Sequence, residues 1–283
     1  MKRLLITHTT GYRYEELVSA SYNEARMLPY GDAGQVVLSS TISISPTATE
    51  NIYLDYWGSR VCSFEILHPH RELILQAESL VEVENRNQSN LRGPDFAQIQ
   101  ELSRNRLDVA EQLIPTTRTQ LPGPLANFVT ELKSAVNLSP HEMALAIVKY
   151  VRSQIEYLPG STGVNTTSLE AWEAKSGVCQ DIAHITLAGL RFAGIPARYV
   201  SGYLHPDPDA KVGEKVTAES HAWVEWYNSE WYGFDPTNLI EISDRHVLIS
   251  RGRDYSDVPP IKGVYAGSGQ SQLFVQVTIV RQQ

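Results

Sequence analysis

One short stretch constrains the fold of this chain more than any other, because residues 176–193 place a glycine and a cysteine directly before an apolar helix. From Cys179 onward, apolar residues recur at the three- and four-residue spacing of a helix with one buried face. Gly194 and then Pro196 are residues that end a helix. Cys179 is therefore predicted in the first helical turn, where free backbone N–H groups and the helix dipole favour a thiolate.

A single cysteine in such a place has two interpretations, and this stretch alone favours neither. Cys179 is either an activated nucleophile or a buried structural residue. The chain has one other cysteine, Cys62, which alternates with Phe64 and Ile66 on one predicted strand face. We therefore expect Cys62 to be a core residue without a redox role.

A histidine and an aspartate follow on a predicted β-hairpin, formed by two aromatic-rich segments that flank the polar turn 228–230. With a three-residue loop, Tyr227 faces Trp231, and His221 and Asp235 lie on the same face as diagonal neighbours. They would then be within hydrogen-bonding reach. A loop of even length would place them on opposite faces.

These three residue types suit acyl transfer. A cysteine thiolate attacks a carbonyl, an imidazole holds the thiolate and later protonates the leaving group, and a carboxylate orients the imidazole. Cys179, His221 and Asp235 are thus the candidate nucleophile, base and orienting group.

Four segments of the chain resemble the core of the bacterial transglutaminase-like proteins, a family often described as cysteine proteases. They are GVCQDIAH at 177–184, GIPARYVSGY at 194–203, HAWVEW at 221–226 and FDPTN at 234–238. The resemblance implies a papain-like α+β fold, with helices packed on an antiparallel sheet and a triad of Cys179, His221 and Asp235. It implies acyl-enzyme chemistry more firmly than it implies a substrate, since the family includes transglutaminases, peptide amidases and proteases.

The residues before this core carry mostly strand signals, which predict an antiparallel β-sandwich-like domain over residues 1–85. This region resembles the N-terminal domain that accompanies the family core. Residues 86–120 are predicted to be a linker with short helices, and 121–283 a transglutaminase-like cysteine catalytic domain. In the latter, residues 139–142 form a capping box that opens a helix to about Tyr157.

Further candidates near the cysteine have simpler interpretations. Trp172 could donate to an oxyanion, but core packing is favoured. Gln180 either donates toward the site or occupies the first helical turn. Asp181 is predicted to be a helix N-terminal charge, and His184 a structural histidine, because it points away from Cys179 around the helix.

Metal binding is weakly indicated. His68 and His70 lack an evident third ligand, and a hydrogen-bonded or surface pair is favoured. The polar segment 206–217 could be a flap or a calcium loop, but its spacing matches no EF-hand and favours a solvated loop. Zinc binding by cysteine, histidine and aspartate stays open, although no familiar zinc spacing is present. We predict neither a metal nor another cofactor.

Composition narrows the partners. The net charge of −8 argues against nucleic acid or an anionic membrane as the main partner. No apolar run is long enough to span a bilayer, and the residues before His8 do not form a signal-peptide core. With two cysteines, a reduced cytoplasmic protein is expected.

The function predicted from the sequence is a cysteine protease or amidase that acts on peptide or carboxamide bonds through a Cys179 thioester. The expected partner is a protein or peptide substrate. Two alternatives stay open: an amine-accepting protein transglutaminase, and a non-catalytic binding or scaffold protein on the same fold. Sequence alone determines neither the substrate nor the oligomeric state.

Overall fold

The computed structural model describes residues 1–85, 93–135 and 137–283, so that the first residues of the predicted linker, 86–92, lie outside the described residues. Within these ranges the chain forms sixteen β-strands and six α-helices. The strands are β1 (Lys2–Val18), β2 (Ala20–Leu28), β3 (Gln35–Ser45), β4 (Thr49–Leu54), β5 (Arg60–Ile66), β6 (His70–Val83), β7 (Glu156–Tyr157), β8 (Ser176–Gly177), β9 (Ala197–Leu204), β10 (Lys215–Ala218), β11 (Ser220–Asn228), β12 (Glu230–Asp235), β13 (Ile240–Glu241), β14 (His246–Gly252), β15 (Ile261–Ala266) and β16 (Ser271–Arg281). The helices are α1 (Phe96–Asn105), α2 (Leu107–Ala110), α3 (Gly123–Ala135), α4 (Pro140–Gln154), α5 (Ser168–Ala174) and α6 (Cys179–Ala193).

Three antiparallel sheets organise the molecule. The first sheet has the order β10-β16-β1-β6-β3, the second β15-β2-β5-β4 and the third β13-β12-β11-β9-β14. A two-stranded parallel pair, β7 with β8, lies beside the start of α6. The predicted class, α+β with helices and antiparallel sheets, is therefore confirmed.

The first sheet presents one alternating face to both of the other sheets. Toward one end of this face, Leu73 and Leu75 of β6 share a core with Cys62 and Phe64 of the second sheet. Cys62 is fully buried there, as its alternation predicted.

Toward the other end, the same face packs on the third sheet. Leu4 and Ile6 of β1 share a core with Tyr203, Val247 and Ile249 of β9 and β14. The middle of the first sheet consequently lies beneath the gap between the second and third sheets.

Helices cover the opposite face of the third sheet. Ile182 and Leu187 of α6 join Val148 of α4 and Trp226 of β11 in the largest hydrophobic cluster among the described residues. This packing holds α6 against the third sheet.

Local signals set most helix boundaries. The predicted capping box is present, with Ser139 Oγ accepting from the Glu142 amide at 3.2 Å and Glu142 Oε2 accepting from the Ser139 amide at 2.9 Å. Helix α4 nevertheless ends at Gln154, before the predicted end, because Ile155 is extended and the next two residues pair as β7 with β8. Gly194 ends α6 in the left-handed conformation, as predicted, with φ of 86°.

Two features differ from the sequence-based predictions, one in a predicted loop and one in the division into domains. The last residues of the polar segment 206–217 belong to β10, which pairs with β16. Strands β15 and β16 pair with β2 and β1, so the strand pairing crosses the predicted division into 1–85, 86–120 and 121–283. That division stays a prediction. No helix in the described part of the chain is long and apolar enough to span a bilayer.

Candidate active site

Cys179 is the first residue of α6 and is partly exposed. The helix start is held by Asp181, whose Oδ2 accepts from the Val178 amide at 2.8 Å and from Thr162 Oγ1 at 2.6 Å. This arrangement is the helix N-terminal role predicted for Asp181. It fixes the backbone next to Cys179.

His221 and Asp235 meet as the predicted hairpin register requires. Tyr227 pairs with Trp231, and Asn228 pairs with Glu230 across the turn. His221 Nε2 lies 2.7 Å from Asp235 Oδ2, so the two side chains share one face of the hairpin and form a hydrogen bond. The geometric condition set by the three-residue loop is confirmed.

His221 lines the same cavity as Cys179, and the two side chains are close enough for the cysteine to influence the pKa of the imidazole. Burial alone would lower the pKa of His221, but the hydrogen bond with Asp235 and the negative charges of Asp235 and Cys179 raise this pKa to about 10. The imidazole is therefore protonated at neutral pH. A protonated imidazole at a helix N-terminus stabilises a neighbouring thiolate.

The Asp235 carboxylate is buried and saturated with donors. Its Oδ1 accepts from the Thr237 amide at 2.9 Å and the Asn238 amide at 3.2 Å, and its Oδ2 accepts from Asn238 Nδ2 at 2.7 Å as well as from His221. Burial alone would raise the pKa of Asp235. The hydrogen bonds from His221 and Asn238, the nearby ring of His246 and the His221 charge together hold the pKa of Asp235 well below its usual range.

Sequence reasoning missed His246, which lies at the start of β14 with Nε2 at 3.6 Å from Asp235 Oδ2. Its Nδ1 accepts from the Ser243 amide at 3.1 Å, which leaves the proton on Nε2, toward the carboxylate. Burial lowers the pKa of His246, so it is neutral at neutral pH. No local pattern signals this contact, because it depends on the pairing of His246 with Leu204 of β9.

His221, Asp235 and His246 could be considered as a metal site, since one potential ligand atom from each lies within 4.8 Å of the others. The donor set fits a hydrogen-bonded network better. Asp235 Oδ2 already accepts from His221 and Asn238, and His246 Nδ1 is occupied by the Ser243 amide. A metal ion would have to displace the bond between His221 and Asp235.

The other candidates make structural contacts. Trp172 is 5% exposed, belongs to the hydrophobic core and does not line the cavity beside Cys179, so core packing is confirmed. Gln180 donates to the Val164 carbonyl at 3.2 Å and also lines the cavity beside Cys179, so both interpretations of this residue stay open. His184 is buried and accepts from the Tyr255 amide at 3.2 Å, and burial lowers its pKa to about 3.

A cavity of about 340 Å³ opens beside the sulfur and is lined by both Cys179 and His221. Tyr255 and Pro260 contribute to its wall, which places the segment 252–260 at the border of the site. The arrangement can bring a carbonyl group to Cys179, with the amide at the α6 N-terminus available to a developing negative charge on oxygen.

Antiparallel sheets, six helices and this cysteine–histidine–aspartate geometry place the molecule in the transglutaminase-like class. The chain belongs to the bacterial transglutaminase-like family: residues 4–82 match the bacterial transglutaminase-like N-terminal region, and residues 127–236 match the transglutaminase-like superfamily. Both parts of the resemblance noted from the sequence are thereby confirmed.

Full-length relatives are similar along the whole chain. An uncharacterised protein of Mycobacterium leprae is 40% identical over 282 residues, covering 99% of each chain. An uncharacterised protein of Mycobacterium tuberculosis is 31% identical, covering 98% of this chain and 92% of the relative.

A protein-glutamine gamma-glutamyltransferase of Pseudomonas aeruginosa is similar over part of the chain. It is 30% identical over 141 residues, which are 44% of this chain and 21% of that protein.

A solved structure has the same fold. The crystal structure of a candidate cysteine protease from Cytophaga hutchinsonii superposes with a TM-score of 0.78 at 20% identity, covering 100% of this chain and 91% of that one. At this identity the likeness shows the fold alone.

Proposed function

We propose that this protein is a cysteine acyl-transfer enzyme that hydrolyses peptide or carboxamide bonds. Cys179 is the nucleophile, His221 the base and then the acid, and Asp235 the orienting group. One observation carries the proposal: His221 lines the same cavity as Cys179 at the α6 N-terminus, and its Nε2 lies 2.7 Å from Oδ2 of the buried Asp235 carboxylate.

The geometry supports the following sequence of bonds. The Cys179 thiolate attacks the carbonyl carbon, and the carbonyl electron pair moves to the oxygen, which faces the α6 N-terminus. His221 gives its proton to the leaving nitrogen, the C–N bond breaks, and a thioester remains. His221 then takes a proton from water, the resulting hydroxide attacks the thioester, and the thiolate leaves while the acid product departs.

An amine could replace water in the second step, which would make the protein a transglutaminase. The similarity to the Pseudomonas aeruginosa gamma-glutamyltransferase favours this second candidate. We propose hydrolysis first because Cys179 is partly exposed rather than enclosed, so that water reaches the thioester. Product analysis with and without an added primary amine separates the two.

The proposal is tested by the pH dependence of Cys179 alkylation by iodoacetamide, followed by mass spectrometry, in the wild type and in His221→Ala. We expect the wild-type rate to persist well below the ordinary thiol pKa of about 8.5 and to collapse in the variant. Cys62 is an internal control, because burial and the charge of Glu50 raise its pKa to about 11.

If Cys179 instead reacts slowly in both proteins with an ordinary thiol profile, the nucleophile is refuted and the binding or scaffold alternative takes its place. Stoichiometric zinc in the purified protein would favour a metalloenzyme instead.

Three accompanying properties are also part of this proposal. We propose a protein or peptide as the substrate, a cytoplasmic location, and a sandwich-like arrangement of the N-terminal sheets. The shared core of the first and second sheets supports the last of these. The net charge of −8 supports the absence of nucleic-acid and membrane partners.

A further inference from the structure

Strands β1 and β16 of the first sheet form one wall of the cavity beside Cys179. The inward face of β1 and β16 contributes residues that alternate along the two paired strands. They are His8, Thr10, Leu273, Val275 and Val277.

This wall exposes apolar side chains where a strand facing only water would be polar. Leu273 is 44% exposed and Val275 is 52% exposed, and both face the cavity. On the opposite face of the same strand lie Gln272, Phe274 and Gln276. The side chains that this strand presents to the cavity are thus all apolar.

The remaining walls are also largely uncharged. Val164, Pro260 and Ile261 add apolar surface. Among the described residues that line the cavity, Glu219 is the one with an acidic side chain, and none is a lysine or an arginine. A bound carboxylate would lose its hydration and lie near the negative charge of Glu219, while the cationic ring of His221 is already paired with Asp235.

We infer that this cavity, which we call the acyl pocket, selects acyl donors with a neutral aliphatic or aromatic group and rejects anionic ones. It is bounded by Leu273, Val275, Val164, Pro260 and Ile261. The inference rests on the proposed function, since the pocket matters only if Cys179 is acylated. A volume of about 340 Å³ lies at the lower end of the range for small-molecule sites, which suits one side chain and its flanking backbone.

The test compares alkylation of Cys179 by a series of reagents that share one reacting group. Iodoacetamide, N-butyl-iodoacetamide, N-phenethyl-iodoacetamide and iodoacetate are used on the full chain, and each second-order rate is divided by the iodoacetamide rate. The intrinsic reactivity of the sulfur cancels in this ratio. We expect ratios of about 10 or more for the two apolar reagents and below about 0.1 for iodoacetate, relative to the same ratios for a free thiol.

Val275→Asp should bring the apolar ratios down toward the free-thiol values. Because each rate is divided by the iodoacetamide rate of the same variant, a change in the reactivity of the sulfur does not enter this comparison. Gln276→Asp is the matched control, because it places the same charge on the outer face of the same strand. Leu273→Glu with Gln272→Glu as its control repeats the comparison if the first variant folds poorly.

The outcomes separate the two proposals. Slow, ordinary reaction with iodoacetamide itself refutes the nucleophile. Fast iodoacetamide reaction with flat ratios, or an equal loss in Gln276→Asp, refutes only the acyl pocket.

Discussion

At the scale of single residues, the function depends on how Asp235 holds the ring of His221. Asp235 accepts from His221 Nε2 through Oδ2, while Oδ1 is occupied by the amides of Thr237 and Asn238. The two carboxylate oxygens therefore have different tasks. One anchors the carboxylate to the backbone, and the other orients the imidazole.

Asp235→Asn is expected to reverse this orientation. Its carbonyl oxygen would keep the two backbone bonds, and its NH₂ group would then face His221 Nε2, forcing the opposite tautomer. We expect Cys179 alkylation at neutral pH to fall by roughly 10²-fold or more. Unfolding by urea, measured in parallel, must show a folded variant, and an unchanged alkylation rate would refute the orienting role.

His246→Gln tests a positioning role for the second histidine. His246 approaches Asp235 at 3.6 Å and helps to keep the carboxylate ionised, so its loss should reduce alkylation about 10-fold. The pH–rate profile is the decisive readout, because weakening Asp235 should lower the pH at which His221 loses its proton. Ser243→Ala keeps the backbone donor to His246 and should leave the profile unchanged.

The sequence was informative about these residues to different degrees. Cys179, His221 and Asp235 could be predicted because a helix start and a short hairpin determine their positions locally. Asn238 lies in the FDPTN segment, but its bond to Asp235 has no periodic signal. His246 could not be predicted, since only the pairing of β14 with β9 brings it to the carboxylate.

At the scale of elements, the start of α6 depends on Gly177. A Cβ placed on Gly177 would lie 2.8 Å from Asp181 Oδ2, the atom that holds Val178 and Thr162. Asp181 therefore cannot move aside without releasing the helix start. The glycine before the cysteine is required by this close approach.

Gly177→Ala is expected to destabilise the protein by about 1–3 kcal/mol and to lower the rate of Cys179 alkylation. Gly163→Ala is the matched control in the neighbouring loop, because its Cβ would meet no atom within 4 Å. Urea unfolding and alkylation rates check both variants. Equal unfolding free energies and equal alkylation rates in the two variants would show that the close approach of Asp181 to Gly177 does not matter.

Local signals explain which elements could be predicted. The hairpin register followed from the loop length, and α4 began at its capping box. The early end of α4 and the strand β10 could not be predicted, because each depends on a partner distant in sequence, β8 in one case and β16 in the other. Local sequence propensity carries no information about strands that pair from distant parts of the sequence.

At the scale of the whole molecule, a buried ion cluster joins the third sheet to the N-terminal region. Glu225 of β11 accepts from Arg198 at 2.7 Å and from Arg251 at 2.8 Å, and Arg251 also contacts Asp32 at 2.6 Å. Burial alone would raise the pKa of Glu225, but the two guanidinium groups lower it to about 2.

Glu225→Gln should cost roughly 3–5 kcal/mol of unfolding free energy at neutral pH, because it leaves buried guanidinium groups without their counter-charge. Since the folded-state pKa lies below the usual 4.5, this stabilisation is present above about pH 4.5 and disappears as pH falls toward 2. Urea unfolding of both proteins at several pH values should therefore show a difference that shrinks in acid.

Asp108→Asn is the control for this comparison, since Asp108 pairs with Arg106 on the surface. Its cost should stay below about 1 kcal/mol at every pH. A Glu225→Gln penalty as small as this would show that the cluster contributes no more than a surface pair.

The family resemblance predicted the overall α+β class. It did not predict that β15 and β16 pair with the N-terminal strands β2 and β1. Strand β16 is recognisable from its alternation, but its neighbours β1 and β10 are set by tertiary contacts. The acyl pocket escaped prediction for the same reason, because its wall combines residues 8–10 with residues 273–277.

The position of β16 also bears on how the protein is made. This strand lies between β1 and β10, so β1 must wait for a strand that is synthesised much later before this pairing can form. Pairing across so many residues is slow, and it leaves strand edges open in the meantime. An unfinished chain therefore has α6 and the Cys179 thiol before it has the wall that Leu273 and Val275 provide. The nucleophile is therefore synthesised before the acyl pocket, which is completed only when β16 is in place.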